Sequence, residues 1–315
     1  MPGCHPGRFT ELTRRHGDTL PRVDIAHELL DAIHAVYGLH PEFRSLHAKG
    51  TCLTGSFTAT PAAAALTRAA HMSGAAIPVT ARFSNGTGTP HVPDSTLDGR
   101  GLAIKFHLPD GTTTDFVGLT LPVFFVRTAE DLLEFTRART DPEKVGPFLA
   151  AHPETVPAVT LQLSSLPRAS YAQTTFFGIH AFRFVDAAGN GTWIRYRWQP
   201  DAGDMTLPQD EADALAPDYL QDDARARVAN GGIAYTLFLQ LAGDGDPTDD
   251  PTVAWPDDRE QVEAGRLELT AVADDCEKLV FDPMRLTDGI EPSDDKILRA
   301  RPAAYSVSIE KRFKN

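Results

Sequence analysis

The sequence predicts an α+β protein, an antiparallel β-barrel with helices flanking it. Three observations predict this. Short runs with two-residue alternation recur along the chain, tight turns join several of them, and helical periodicities are gathered into stretches of their own. Helices placed regularly between strands would have pointed to a parallel sheet instead.

The first helix is predicted over residues 23–37, with Ile25, Leu29, Ile33 and Val36 on one face. Strands follow. In 78–84, Val79, Ala81 and Phe83 point one way. Leu102, Ile104, Phe106 and Leu108 alternate next, and Pro109-Asp110-Gly111 reads as a turn. A hairpin runs from 181–186 through Ala187-Ala188-Gly189-Asn190-Gly191 into 192–198, and two more strands lie at 235–241 and 266–272. Further helices are predicted at 129–139, around 209–229 and from about 293 to 313. Ser293 serves as the N-cap of the last, followed by Asp294 and Asp295 near the positive end of the dipole. The acidic segment 243–255 reads as an exposed loop without the ligand order or central glycine of a calcium loop.

Domain organisation follows from this layout: an N-terminal arm at 1–20 and one core domain over 21–315, with no internal repeat or low-complexity linker. With 42% hydrophobic residues the chain can bury a sizeable core, and its formal net charge of −13 argues against nucleic acid or an anionic membrane as partner. No apolar run is long enough to span a bilayer. The first twenty residues lack the apolar stretch of a secretory signal, so the expected compartment is the cytoplasm. Cys4, Cys52 and Cys276 are odd in number and far apart, and show neither a disulfide framework nor a zinc spacing.

The chemistry-bearing residues fall in three clusters. Arg301, Tyr305 and Arg312 are spaced by four and then seven residues, which puts all three on one helix face. Nearby positive charge favours phenolate over phenol, and a phenolate can ligate ferric iron. On spacing alone, a core tyrosine beside two surface arginines is the plainer account. The second cluster is Phe43-Arg44-Ser45-Leu46-His47-Ala48-Lys49-Gly50, and the third is Ala81-Arg82-Phe83-Ser84-Asn85-Gly86. Taken singly, a histidine such as His47 is more often a structural or surface residue than a catalyst, and Arg82 reads as a chain snorkelling to a barrel rim.

Together these segments resemble the haem catalase family. The resemblance continues through Asp98-Gly99-Arg100-Gly101-Leu102-Ala103-Ile104-Lys105-Phe106, Asp115-Phe116-Val117-Gly118 and Pro122-Val123-Phe124-Phe125-Val126-Arg127. Later come Tyr171, Gly178-Ile179-His180-Ala181-Phe182, Trp255-Pro256, Phe281-Asp282-Pro283, Gly289-Ile290-Glu291-Pro292-Ser293, Asp295-Lys296 and the Arg301-to-Tyr305 pair. The motifs keep the family's order over about residues 40–315, which makes chance agreement a poor explanation.

The resemblance implies an eight-stranded barrel and haem b with ferric iron. Tyr305 would be the proximal ligand and the metal-binding residue, with Arg301 one turn earlier helping to keep it anionic. His47 would be the distal base, and Ser84 would orient its ring. Arg44, Arg82 and Arg312 would pair with the haem propionates, while Phe124 and Leu46 would line the distal pocket. The implied activity is a haem peroxidase acting on hydrogen peroxide or organic hydroperoxides with an organic reductant, in a homodimer. The family's wrapping segment, helical domain and nucleotide-binding surface have no counterpart, as in the small catalase-related peroxidases.

Two departures shape the expectation further. Leu119 stands where the family has its distal asparagine, and the adjacent Thr120 should point to the other side of its strand. Leucine cannot hydrogen-bond peroxide, so oxygen evolution should suffer more than donor oxidation. Pro302, between Arg301 and Tyr305, removes one helical bond at about 3 kcal/mol and places a kink in question. Rival readings are a hydroperoxide-rearranging enzyme of the allene oxide synthase kind, which needs a long apolar channel, and a haem carrier, which needs no distal base. His27 and His34, seven apart, lack the companions of a zinc site and read as surface or dimer-contact residues. No dinucleotide fingerprint, Walker loop or nucleophile elbow occurs.

Overall fold

The computed structural model describes residues 21–273 and 276–313, and the arm expected at 1–20 lies outside them. The strands are β1 (Gly50–Ala59), β2 (Ile77–Asn85), β3 (Arg100–His107), β4 (Thr113–Leu119), β5 (Phe176–Val185), β6 (Gly191–Pro200), β7 (Ile233–Leu241), β8 (Gln261–Val272) and β9 (Ile290–Pro292). The helices are α1 (Pro21–Tyr37), α2 (Pro61–Leu66), α3 (Ala129–Ala138), α4 (Pro142–Ala151), α5 (Val156–Leu163), α6 (Gln209–Asp213), α7 (Tyr219–Ala229) and α8 (Lys296–Phe313). The sheet runs β4-β3-β2-β1-β8-β7-β6-β5 and closes where Leu119 of β4 meets Phe177 of β5. Every pairing is antiparallel, and β9 adds to β5 outside the ring of eight. The expected eight-stranded antiparallel barrel with flanking helices is therefore the fold.

Alternation decides what fills it. Val79, Ala81 and Phe83 of β2 lie opposite Phe106, Ile104 and Leu102 of β3, and all six are buried in the interior. Phe57, Phe106, Phe116 and Trp198 pack edge to face across the middle. Eight strands leave a bore just wide enough for side chains, so the barrel is solid rather than a channel. Removing one such ring would cost about 3–5 kcal/mol. Much of the outer face of β2, β3 and β4 is buried or half-buried as well, with Arg82, Ser84, Lys105 and Asp115 all buried on it. Ala26, Leu29, Leu30 and Ile33 of α1 meet Leu133 of α3 and Val307 of α8 in a separate apolar layer.

Sequence periodicity missed β1 and β4, and both misses have one cause. Their inward alternation is interrupted by glycine. A Cβ at Gly55 would lie 1.8 Å from the Glu268 carbonyl oxygen, where β1 shifts register against β8. At Gly118 it would lie 3.2 Å from Phe176 Cβ. Neighbouring backbone and side chains fill the space an apolar residue would have signalled.

Three further expectations are corrected. The stretch 209–229 is two helices, α6 and α7, with Pro217 in the gap. The last helix is capped by Asp295 rather than Ser293: its Oδ1 accepts from the Ile297 and Leu298 amides at 2.8 and 3.2 Å. Cys52 and Cys276 are paired in a disulfide with a Cα–Cα distance of 6.1 Å, although 224 residues separate them. No spacing rule reaches across that distance, because the barrel and not the local chain brings β1 beside residue 276. Among the described residues no helix is long and apolar enough to cross a membrane.

Candidate active site

Between the outer face of β2–β4 and the helices α1, α3 and α8 lies a cavity of about 870 Å³. His47, Ser84, Arg44, Arg82, Phe124, Arg301, Tyr305 and Arg312 all line it. The three clusters singled out in the sequence thus converge on one space, with strands forming one wall and helices the other.

On the strand wall, backbone geometry fixes the reactive side chain. His47 has φ +55°, a left-handed conformation that costs a non-glycine residue energy. Arg82, buried on the outer face of β2, donates Nη1 to the His47 carbonyl at 2.9 Å and Nη2 to the Ala48 carbonyl at 3.2 Å, clamping that turn. The imidazole Nδ1 lies 3.0 Å from Ser84 Oγ. Gly101 of β3 makes room for the ring: a Cβ there would stand 3.0 Å from His47 and 2.9 Å from Ser84 Oγ. Burial, then the charges of Arg82, Arg301 and Arg44, push the imidazole down to about 3. It is therefore neutral at pH 7 and can accept a proton only transiently.

On the helical wall, a chain of side chains does the fixing. Arg301 Nε and Nη2 donate to Tyr305 Oη at 3.0 and 2.5 Å. The doubt raised by Pro302 is removed, because α8 runs through it and the contact is made. Arg301 Nη1 sits 3.1 Å from His180 Nε2, and His180 Nδ1 sits 2.6 Å from Asp295 Oδ2. Guanidinium has no acceptor, so His180 Nε2 must accept and Nδ1 must carry the proton towards Asp295. Burial lowers the His180 pKa, consistent with a neutral ring, while Asp295 opposes the shift. The sequence motifs that hold His180 and Asp295 gave Asp295 a part at the helix start, but gave neither residue a place in the site. Their signal was a histidine and an acid 115 positions apart in the chain, each in a motif of its own.

Three guanidiniums gather at one end. Burial and then Arg82 push Arg44 down to about 9, and burial also lowers Arg312, whose buried Nε has no hydrogen-bond partner among the described residues. Crowded cations of this kind demand anions, and planar forks suit carboxylates. The phenol oxygen of Tyr305 lines the same cavity and takes hydrogen bonds from Arg301, and a phenolate is a donor suited to a hard ferric ion.

Leu119 lines the cavity, whereas Thr120 turns away and its Oγ1 accepts from the Arg100 amide at 3.0 Å, as strand alternation requires. Leu46 and Phe124 stand on the lining as expected. His27 is exposed. His34 Nε2 bonds Ser45 Oγ at 2.9 Å, and Ser45 Oγ lies 3.1 Å from Ser308 Oγ. Among the described residues the one cluster of three candidate metal donors is Cys52, Cys276 and Glu277.

The catalase family model matches residues 34–314. The chain is 39% identical to a catalase-related peroxidase of Mycolicibacterium paratuberculosis, over 90% of this chain and 94% of that protein. It is 36% identical to a catalase-related peroxidase of Synechococcus elongatus, over 90% and 88%. A catalase of Latilactobacillus sakei is 34% identical over 83% of this chain and 60% of its own, longer length. Among solved structures, a fungal catalase superposes with a TM-score of 0.79, covering 98% of this chain and 66% of that one at 23% identity, a likeness of fold.

Proposed function

Because this chain belongs to the catalase family, whose members depend on haem, we propose that it is a haem b peroxidase reducing hydrogen peroxide or organic hydroperoxides with an organic electron donor and evolving oxygen poorly. One observation carries the reading: His47 and Tyr305 face a single cavity from different walls, with three arginines gathered at its end.

The residues fit the group. A cavity of about 870 Å³ lies within the range of cofactor pockets, roughly 300–1,000 Å³. The unpartnered Arg312 Nε and the crowded Arg44 and Arg82 suit two propionates. Tyr305 Oη would hold the iron, and Arg301 would stabilise negative charge on that oxygen. When bound, the haem would supply the iron that takes the oxidising equivalents of peroxide.

The chain's own part is proton handling and access. With Ser84 taking the Nδ1 hydrogen, His47 Nε2 is left as the acceptor. It would receive one peroxide proton and return it to the departing oxygen, a role that neutral imidazole can fill. Leu119 offers no hydrogen bond, so a second peroxide would be poorly oriented for oxidation to oxygen. Donor oxidation needs no such orientation.

The test is stopped-flow comparison of oxygen release with dye oxidation on haem-loaded protein. Dye turnover should exceed oxygen release. Rapid oxygen evolution with poor dye turnover would refute the proposal, and conversion of a lipid hydroperoxide with no donor present would mark a rearranging enzyme instead.

A further inference from the structure

Two of the arginines that line this end already hold a carboxylate of the chain, Glu277, which lies beside the cavity and not on its lining. Glu277 Oε1 accepts from Arg82 Nε at 3.0 Å, and its Oε2 accepts from Arg44. Arg44 Nη2 also donates to the carbonyls of Cys276 and Leu279 at 3.2 and 2.8 Å. One arginine is thus joined to the segment that carries Glu277, and the other to the turn that carries His47. Glu277 is also near enough to Arg312 to act on it electrostatically.

Glu277 is held in place by its neighbour. Cys276 is bonded to Cys52 of β1, and Cys52 is the register partner of Arg82 on β2. The bond therefore anchors the backbone of Glu277 beside the guanidinium that its side chain holds. A metal ion shared by Cys52, Cys276 and Glu277 is a poorer account of the cluster. The carboxylate is committed to two arginines, and their charges oppose a cation.

Resting on the haem reading above, we propose that Glu277 competes with an incoming carboxylate for Arg44 and Arg82 from beside the cavity, and that the Cys52–Cys276 bond keeps it there, so that reduction of the pair frees these arginines for haem. Two guanidiniums that hold Glu277 must exchange it for an incoming propionate. Charge-assisted bonds in a buried setting make that exchange matter. The Glu277 side chain is 42% exposed, so a route to water lies open once its backbone is released. Reduction by a dithiol breaks the S–S bond, leaves two protein thiols and ends with the reductant as its cyclic disulfide. A pair of this kind suits a reducing compartment, where disulfides are transient and redox-sensing.

Haemin titration of the full chain made without haem, followed by absorbance, tests this without relying on activity. Glu277→Gln should bind haemin about tenfold more tightly than the oxidised wild type, the gain expected when a closed form holding nine-tenths of the molecules is lost. Glu277→Asp, which keeps the charge, should stay near wild type. Dithiothreitol should move the wild type in the same direction as Glu277→Gln and should leave Glu277→Gln unmoved. Unchanged or weaker binding by Glu277→Gln overturns the proposal. A gain in Glu277→Gln with no response of the wild type to reduction overturns the part assigned to the cysteines. Uptake of haemin by no form sinks the haem reading, and this inference with it.

Discussion

The two walls of the cavity hold their reactive side chains by opposite means. On the strand side, His47 is placed by main chain: an unfavourable φ, carbonyls gripped by Arg82, and a bare glycine against the ring. On the helical side, Tyr305 is placed through three other side chains, Arg301, His180 and Asp295. Position on the first wall is steric, and on the second it is electrostatic. The first should therefore respond to added bulk, and the second to altered charge.

The largest effect expected is loss of the imidazole itself. His47→Ala should lower peroxide-driven donor oxidation by about 10²–10⁴-fold while haemin stays bound, as steady-state rates and the absorption spectrum will show. Unchanged rates would remove His47 from the chemistry. Bulk comes next. Gly101→Val should displace the ring and reduce kcat by about 10²-fold, since a shift of about 1 Å is enough for that. A crystal structure of the variant with His47 unmoved would contradict the steric account.

The helical wall offers a gentler contrast. Asp295→Asn keeps an acceptor for the helix cap and removes the charge facing His180. It should reduce activity by about tenfold and shift the absorption bands of the bound haem, with little change in Tm. Asp295→Ala should add a stability loss of about 1 kcal/mol from the missing cap, readable as a lower Tm. Equal Tm values for the two variants would deny Asp295 its place at the helix start.

The smallest effect at neutral pH sets the strand wall against the barrel core. His71, fully buried against Phe106 and Phe116, has no hydrogen-bond partner at either nitrogen among the described residues, and burial pushes it down to about 3, as with His47. Between pH 3 and about 6.5 the unfolded chain binds protons that these folded imidazoles refuse. Their contribution is therefore complete above about pH 6.5 and drains away as pH falls towards 3. His71→Leu should recover about 2 kcal/mol at pH 5 relative to its effect at pH 8, measured by denaturant unfolding at both values. A pH profile parallel to wild type would mean that His71 is solvated in the fold.

Legibility followed the same division. Strand-wall residues sit in short contiguous words, His47-Ala48-Lys49-Gly50 and Ala81-Arg82-Phe83-Ser84, so sequence alone could identify them. Arg301, Tyr305 and Arg312 share one helix face, but that spacing alone favoured a core tyrosine beside surface arginines, and it was the resemblance to the catalase family that singled them out. His180 to Asp295, Cys52 to Cys276 and Glu277 to Arg44 were not legible, because each joins segments far apart in the chain that long-range strand pairing brings together. The strands β1 and β4 escaped because glycines stand where their apolar alternation should continue. Ser293 lost the cap to Asp295 by two positions, within the usual uncertainty of helix ends.

The solid interior of the barrel has a consequence for traffic. Among the described residues, the barrel interior behind the strands that support His47 is filled with buried side chains, Phe83, Tyr171 and Phe176 among them. Small molecules must come and go past α1, α3 and α8. Substitutions on those helices would change what gains entry, while the floor under the imidazole stays as it is.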